Sequence, residues 1–128
     1  MDSIATLRVD RTRDGVAVFD LAGDYDMANA PELDAALGKA LAEQRGIVLD
    51  LSETTFIDSS VIHVLVRTQR ALAGQQRQLA LRLQTASILL RALEISELAS
   101  VLPITADREE AIAIATGPPE AAAASDQA

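Results

Sequence analysis

The segment Ile47-Val48-Leu49-Asp50-Leu51 constrains the fold more than any other part of the chain. It is nearly continuous in apolar side chains, and it is bounded by Gly46 and by the polar run Ser52-Glu53-Thr54-Thr55. Successive side chains on a strand point to opposite faces, so a short run of this kind is stable where both faces of a sheet are covered. It predicts a central strand with helices packed against it. Upstream, Ala5, Leu7 and Val9 alternate with Thr6, Arg8 and Asp10, and Val16 to Leu21 follows an Asp14-Gly15 pair. Alternation on both sides of a turn dipeptide predicts a β-hairpin. After Gly23 the period changes: Pro31 suits a first helical turn, Glu32 and Asp34 suit the positive end of a helix dipole, and Leu33, Leu37 and Leu41 recur every four residues. A helix is predicted to near Gln44, with Gly46 ending it.

Downstream, Asp58-Ser59-Ser60 supplies capping oxygens just before Val61, and an apolar periodic segment runs from there to about Ala73, before Gly74. Leu79, Leu81 and Leu83 alternate with Ala80, Arg82 and Gln84 as a fourth strand. Thr85 is placed to cap a third helix containing Ile88, Leu89, Leu90 and Leu93. Val101 to Ile104 is expected as a short last strand, confined to an edge by Pro103, and Asp107 is expected to cap a final helix through Ala115. From Gly117 onward there is no apolar face to bury. The fold class is therefore α/β: one domain over residues 1–116, with a mixed four- to five-stranded sheet begun by a hairpin and about four helices, then a disordered tail over 117–128.

Composition narrows the function. Eleven basic residues against nineteen acidic ones give a formal charge of −8, which opposes binding to nucleic-acid phosphates or an anionic membrane. The chain has no cysteine, which removes disulfides, thiol nucleophiles and zinc-thiolate sites and fits a reducing, cytoplasmic setting. No apolar run approaches the roughly 18–20 residues that cross a bilayer, and Met1-Asp2-Ser3-Ile4 does not open like an export signal. No membrane insertion is expected. With Phe19, Tyr25 and Phe56 as its only aromatic residues, the chain has no stacking platform for bases.

Chemistry concentrates where the central strand gives way to the second helix. In an open parallel sheet the carboxyl edge of the strands is where ligands and partners bind. The residues from Ser52 to Ile57 are expected to be a short connection to that helix. A helix N-terminus has free N–H groups and partial positive charge, so a phosphoryl group on a serine there would be tolerated. The simpler possibility is that Asp58, Ser59 and Ser60 only cap the helix. At about 100° per residue, Val61, Leu65, Thr68 and Leu72 form the sheet-facing stripe. Ser59, His63, Val66 and Arg70 then lie roughly opposite, and Ser60 is nearly as far from the stripe in the other direction. The helical wheel does not choose between the serines. Ile62 and Val66, beyond the stripe, form either a partner-contact patch or packing under a neighbouring helix.

Catalysis fits poorly. Ser59 and His63 share a helical face, but the histidine has no evident orienting group, and no G-x-S-x-G occurs. One histidine and scattered carboxylates, Asp24-x-Asp26 among them, do not form a spaced metal-ligand set, and both the Walker A and the G-x-G-x-x-G loops are absent. No enzyme activity, metal or cofactor is predicted.

Taken in order, Leu21-Ala22-Gly23-Asp24-Tyr25-Asp26, a helix, Ile47-Val48-Leu49-Asp50-Leu51 and Phe56-Ile57-Asp58-Ser59-Ser60 resemble the STAS family over about residues 4–115, specifically its free-standing bacterial anti-sigma-factor antagonists. The resemblance implies that a serine kinase, itself the anti-sigma factor, phosphorylates the serine after the aspartate, here Ser59 with Ser60 as alternative. The unmodified protein would bind that kinase and release a sigma factor, and a serine phosphatase would reverse the modification. Asp26 and Asp58 would form the phosphosite environment, by capping or by positioning the hydroxyl. Asp24, Ser59, Ser60, Ile62, His63 and Val66 would meet the partner. The family's glycine after Asp-Ser-Ser is Val61 here, which keeps a second reading open: a STAS adaptor that is not phosphorylated, or a cytoplasmic accessory subunit of a transporter. Tyr25 stands where the family commonly has an aliphatic residue, and its hydroxyl is expected to reach water.

Overall fold

The computed structural model describes residues 5–12, 15–84, 88–95 and 102–117. The hairpin pairs β1 (Thr6–Arg11) with β2 (Val16–Tyr25) in antiparallel register, Leu7 opposite Leu21 and Val9 opposite Phe19. Gly15 turns the chain at φ 79°, a conformation that favours glycine. Then come α1 (Ala30–Ala42), β3 (Gly46–Ile57), α2 (Ser59–Gly74), β4 (Leu79–Arg82), α3 (Ile88–Ile95), β5 (Ile104–Thr105) and α4 (Arg108–Thr116). The sheet order is β1-β2-β3-β4-β5, with β2 to β5 parallel. The apolar run thus lies in the central strand, as expected.

Parallel neighbours in sequential order place their crossover helices on one side of the sheet. Accordingly Leu33 and Leu37 of α1, Val61, Leu65 and Leu72 of α2 and Leu93 of α3 share one core with Phe19, Leu49 and Leu81. Among the described residues the opposite face is closed by α4, whose Ala111 and Ala115 pack on Val16, Val18, Val48 and Ala80. Small residues on α4 let its backbone come close to the sheet, and Gly46 lies directly beneath Ala115.

Several boundaries differ from expectation. β3 does not end at Leu51 but continues through Ile57, so Ser52–Phe56 is strand and not a connection. The polar side chains remain compatible with pairing because Thr54 is buried and its hydroxyl donates to the Leu21 carbonyl at 2.8 Å. Two register irregularities, at Asp20/Ala22 and Gly23/Asp24, accommodate the extension of β2 beside it. The helix stops also move. Gln44 (φ 57°) and Gln76 (φ 63°) take the left-handed position after α1 and α2. In each case the next N–H returns to a helix carbonyl, Arg45 to Ala40 and Arg77 to Leu72, which is the Schellman closure usually made by glycine. Gly74 is the last residue of α2 instead, and Gly46 serves the approach of α4.

The Tyr25 hydroxyl does not reach water: the residue is buried, and the hydroxyl donates to the Thr6 carbonyl at 2.5 Å, tying the end of β2 to the start of β1. Burial, then the nearby Glu32 carboxylate, raises its pKa above the ordinary tyrosine range. β5 is a two-residue edge strand beginning after Pro103, whose carbonyl accepts from Leu81 N–H at 2.9 Å. Asp107 caps α4 as expected. Ile4, Asp14, the Thr85 cap, Val101 and the tail from Pro118 lie outside the described residues. No helix among the described residues is long and apolar enough to cross a membrane.

Candidate functional site

The ends of β2 and β3 are tied together by the Asp58 N–H, which donates to the Tyr25 carbonyl at 3.2 Å. Asp58 then leaves the strand in extended geometry as N-cap of α2. One carboxylate oxygen accepts from Ser60 N–H (3.0 Å), Val61 N–H (3.2 Å) and the Ser60 hydroxyl (2.5 Å), and the other accepts Met27 N–H at 3.1 Å. Asp58 therefore caps the helix and clamps the turn between β2 and α1 with one side chain. The Ser60 hydroxyl and then the backbone donors, favouring the charged form more than partial desolvation opposes it, hold its carboxyl below the usual aspartate range.

The two serines, equivalent on a helical wheel, differ here. Ser60 is half-buried and its hydroxyl is held by Asp58. Ser59 is exposed at the first position of α2, and its hydroxyl has no hydrogen-bond partner among the described residues. Val61 is buried in the main core. The residue that departs from the family pattern is thus a packing residue, with its side chain turned away from the surface.

Asp26 is committed to its own turn. Its carboxylate accepts Ala28 N–H at 2.9 Å, and its N–H donates to the Asn29 side chain at 2.8 Å. The Asp24 carboxylate accepts the Thr55 hydroxyl, and its carbonyl accepts the Asn29 amide at 3.1 Å. His63 is exposed, whereas Ile62 and Val66 are half-buried against the main core. Among the described residues the exposed large apolar side chains are Met27 and Phe56, at 74% and 49%. Both lie within two residues of a group bonded to, or at, Asp58. Beside Met27, a groove of about 270 Å³ runs between α1 and α2 past Pro31 and Val64 to the Arg67–Asp34 ion pair at 3.0 Å. Neither exposed residue was foreseen from the sequence. The available signal was the period: if Ile57 points inward on a strand, Phe56 points out.

A family model for the STAS domain matches residues 8–111. The chain belongs to the STAS domain family. Solved structures agree with this assignment. An anti-sigma factor antagonist from Mycobacterium paratuberculosis is 25% identical, with a TM-score of 0.76 over 88% of this chain and 94% of that one. The Bacillus cell fate determinant SpoIIAA in its phosphorylated form shares the fold at 21% identity and a TM-score of 0.67, over 84% of this chain and 97% of that one. So does a STAS domain protein from Planctomyces limnophilus, an anti-sigma-factor antagonist by description, at 21% identity and 0.65, over 84% and 95%. A search of curated proteins gives no match.

On the opposite face of this STAS domain, above the α4 packing, lies a charged cluster that sequence analysis did not foresee. Asp50, 4% exposed, accepts from the Ser52 N–H and hydroxyl, from Arg82 at 3.1 Å and from Arg108 at 2.7 Å. Arg108 also pairs with Asp20 at 2.6 Å, so one guanidinium at the start of α4 pins that helix to β2 and β3 at once. Burial pushes the Asp50 pKa up, but Ser52 first, then Arg108 and Arg82, outweigh it, and the carboxyl stays below its ordinary value. Asp50 was visible as the one charge inside the apolar run. Its partners, on β4 and α4, were not.

For Asp50 and Asp58 alike, a depressed folded-state pKa means stabilisation that is present above the unfolded aspartate value of about 3.9 and lost as pH falls through the lower folded values. The contribution of both groups is therefore expected to be flat from neutral pH to about pH 5 and to decline below about pH 4. Urea unfolding at stepped pH measures it. A stability that declines instead between pH 7 and 6 would contradict this assignment.

Proposed function

We propose that the protein is an anti-sigma-factor antagonist that binds a kinase-type anti-sigma factor in the cytoplasm and thereby frees a sigma factor. Phosphorylation of Ser59 ends that complex, and a serine phosphatase restores it. The observation that carries the reading is the state of Ser59: exposed, without a hydrogen-bond partner among the described residues, and presented at the first turn of a helix whose cap is fixed by Asp58. A kinase needs a hydroxyl that can reach the γ-phosphorus of ATP, forming the new O–P bond while the bond to ADP breaks and the hydroxyl proton passes to a kinase base. Ser59 offers this without unfolding anything. Ser60 would first have to give up its bond to Asp58.

The docking surface is proposed to consist of Met27, Phe56 and the rim of the α1–α2 groove, together with Asp24, Ser59, Ser60 and His63. Exposed apolar side chains set around a small polar centre are the composition from which interface hot spots are built. Ile62 and Val66 are half-buried, and in this reading they contribute their outer edges only.

The test is intact-mass spectrometry after incubation with ATP and each candidate anti-sigma kinase of the host, with peptide mapping. One added phosphate on Ser59, abolished in Ser59→Ala with thermal unfolding unchanged, is the expected result. Tight binding to such a kinase without any phosphate would instead establish the non-phosphorylated adaptor.

A further inference from the structure

Ser59 and His63 are both exposed on α2 and stand four residues apart. Side chains at i and i+4 lie one above the other, about 5–6 Å apart at Cβ, and helical side chains lean toward the N-terminus. That spacing puts the imidazole within reach of a group carried on Ser59. The residue next to Ser59 in the chain carries negative charge. Asp58 is a carboxylate immobilised by the N–H groups of Ser60, Val61 and Met27. Asp24 and Asp26 occupy the end of β2 and the turn before α1.

The other cations on α2 are committed or distant. Arg67 on α2 is paired with Asp34 of α1. Arg70 lies eleven residues beyond Ser59, about 16 Å along the helix axis at 1.5 Å per residue. On α3, Arg91 and Glu94 are both exposed and opposite in sign.

We propose that His63 is the built-in counter-ion of phosphorylated Ser59. The imidazolium holds the phosphate dianion over the exposed face of α2, away from Asp58. This rests on Ser59 being the acceptor. A free phosphate monoester loses its second proton near pH 6, and a cation within reach favours the dianion, so the pairing lowers that ionisation.

The test uses the full chain with phosphoserine installed at position 59 through the genetic code, so that no kinase is needed, and follows the phosphorus resonance against pH. The phosphate's second ionisation is expected about half a pH unit lower than in the same protein carrying His63→Gln, roughly a threefold change in proton affinity. His63→Lys, a cation throughout, is expected to keep the midpoint low. Both substitutions fall on an exposed side chain, and thermal unfolding confirms that the fold is kept. Coinciding midpoints in the unsubstituted and His63→Gln proteins would overturn the proposal, as would a His63→Lys midpoint equal to that of His63→Gln. A kinase that never modifies Ser59 is a separate result: it removes the switch, while the pairing is decided by the phosphorus titration alone.

Discussion

Phosphate on Ser59 is expected to weaken binding to the anti-sigma factor by at least about a hundredfold, since like charge set against like charge in an interface costs several kcal/mol and each 1.4 kcal/mol is tenfold. The modification adds about −1.5 to −2 charges to a chain whose formal charge is already −8. It adds them beside a carboxylate that cannot move, because the Asp58 oxygens are held by three backbone N–H groups and the Ser60 hydroxyl. It also places a strongly hydrated group near Met27 and Phe56, which must lose water if they are to contribute to docking. No rearrangement of the fold is required, since the first turn of α2 tolerates an anion. Calorimetric titration of the anti-sigma factor with unmodified and phosphoserine-59 protein measures the difference. Ser59→Ala should bind within about threefold of the unmodified chain, and Ser59→Glu should fall between, having one charge and two oxygens where phosphate has more. Phosphorylated protein that binds as tightly as unmodified protein would remove the electrostatic switch.

Much of the local geometry of this site is legible in the sequence, for reasons that lie in particular residues. The Asp58 cap and the inward stripe Val61, Leu65, Thr68 and Leu72 follow from local rules, a short polar side chain at a helix start and a period near 3.6. Position therefore followed from sequence, but the state of each side chain did not. Ser59 and Ser60 separate only because Asp58 bends back to one hydroxyl, a choice made by the local backbone path. The clamp from Asp58 to Met27 joins residues 31 apart, and no periodicity reports on that. The length of β3 was underestimated because Ser52, Glu53, Thr54 and Thr55 look like loop residues. They are held as strand by the edge of β2, including the buried bond from Thr54 to Leu21, a tertiary effect that overrides polarity. The Asp20–Arg108–Asp50 cluster depends on contacts 58 and 88 residues apart. Glycine was over-read as punctuation, because Gln44 and Gln76 turn the chain where Gly46 and Gly74 were expected to.

Gly46→Ala is expected to destabilise the protein by about 3 kcal/mol, the upper part of the range for an inserted methyl group in a packed interior, and to lower the melting temperature by roughly 10 °C. A Cβ at this position would stand 2.1 Å from the Ala115 carbonyl oxygen and 3.0 Å from its carbon. Both are backbone atoms, so no side-chain rotation relieves the clash. Either the start of β3 or the last turn of α4 must move. Movement of α4 opens the small second core, where Ala111 and Ala115 meet Val16, Val18, Val48 and Ala80. It also pulls on the Gln78 amide, which donates to the Ile114 carbonyl at 3.1 Å. The N-terminal end of α4 cannot follow freely, because Arg108 is bonded to Asp20 and Asp50. Gly38→Ala is the control. It lies in the exposed middle of α1 with nothing within 4 Å of a new Cβ, so replacing the more flexible glycine there should stabilise by roughly 0.5–1 kcal/mol. One substitution at two glycines thus has opposite signs, fixed by what the added methyl meets. Amide hydrogen exchange tells which part yields: faster exchange confined to α4 means the helix lifts from its latch, and faster exchange throughout means the central strand has shifted. A Gly46→Ala protein that melts with the parent would mean that α4 does not rest on β3.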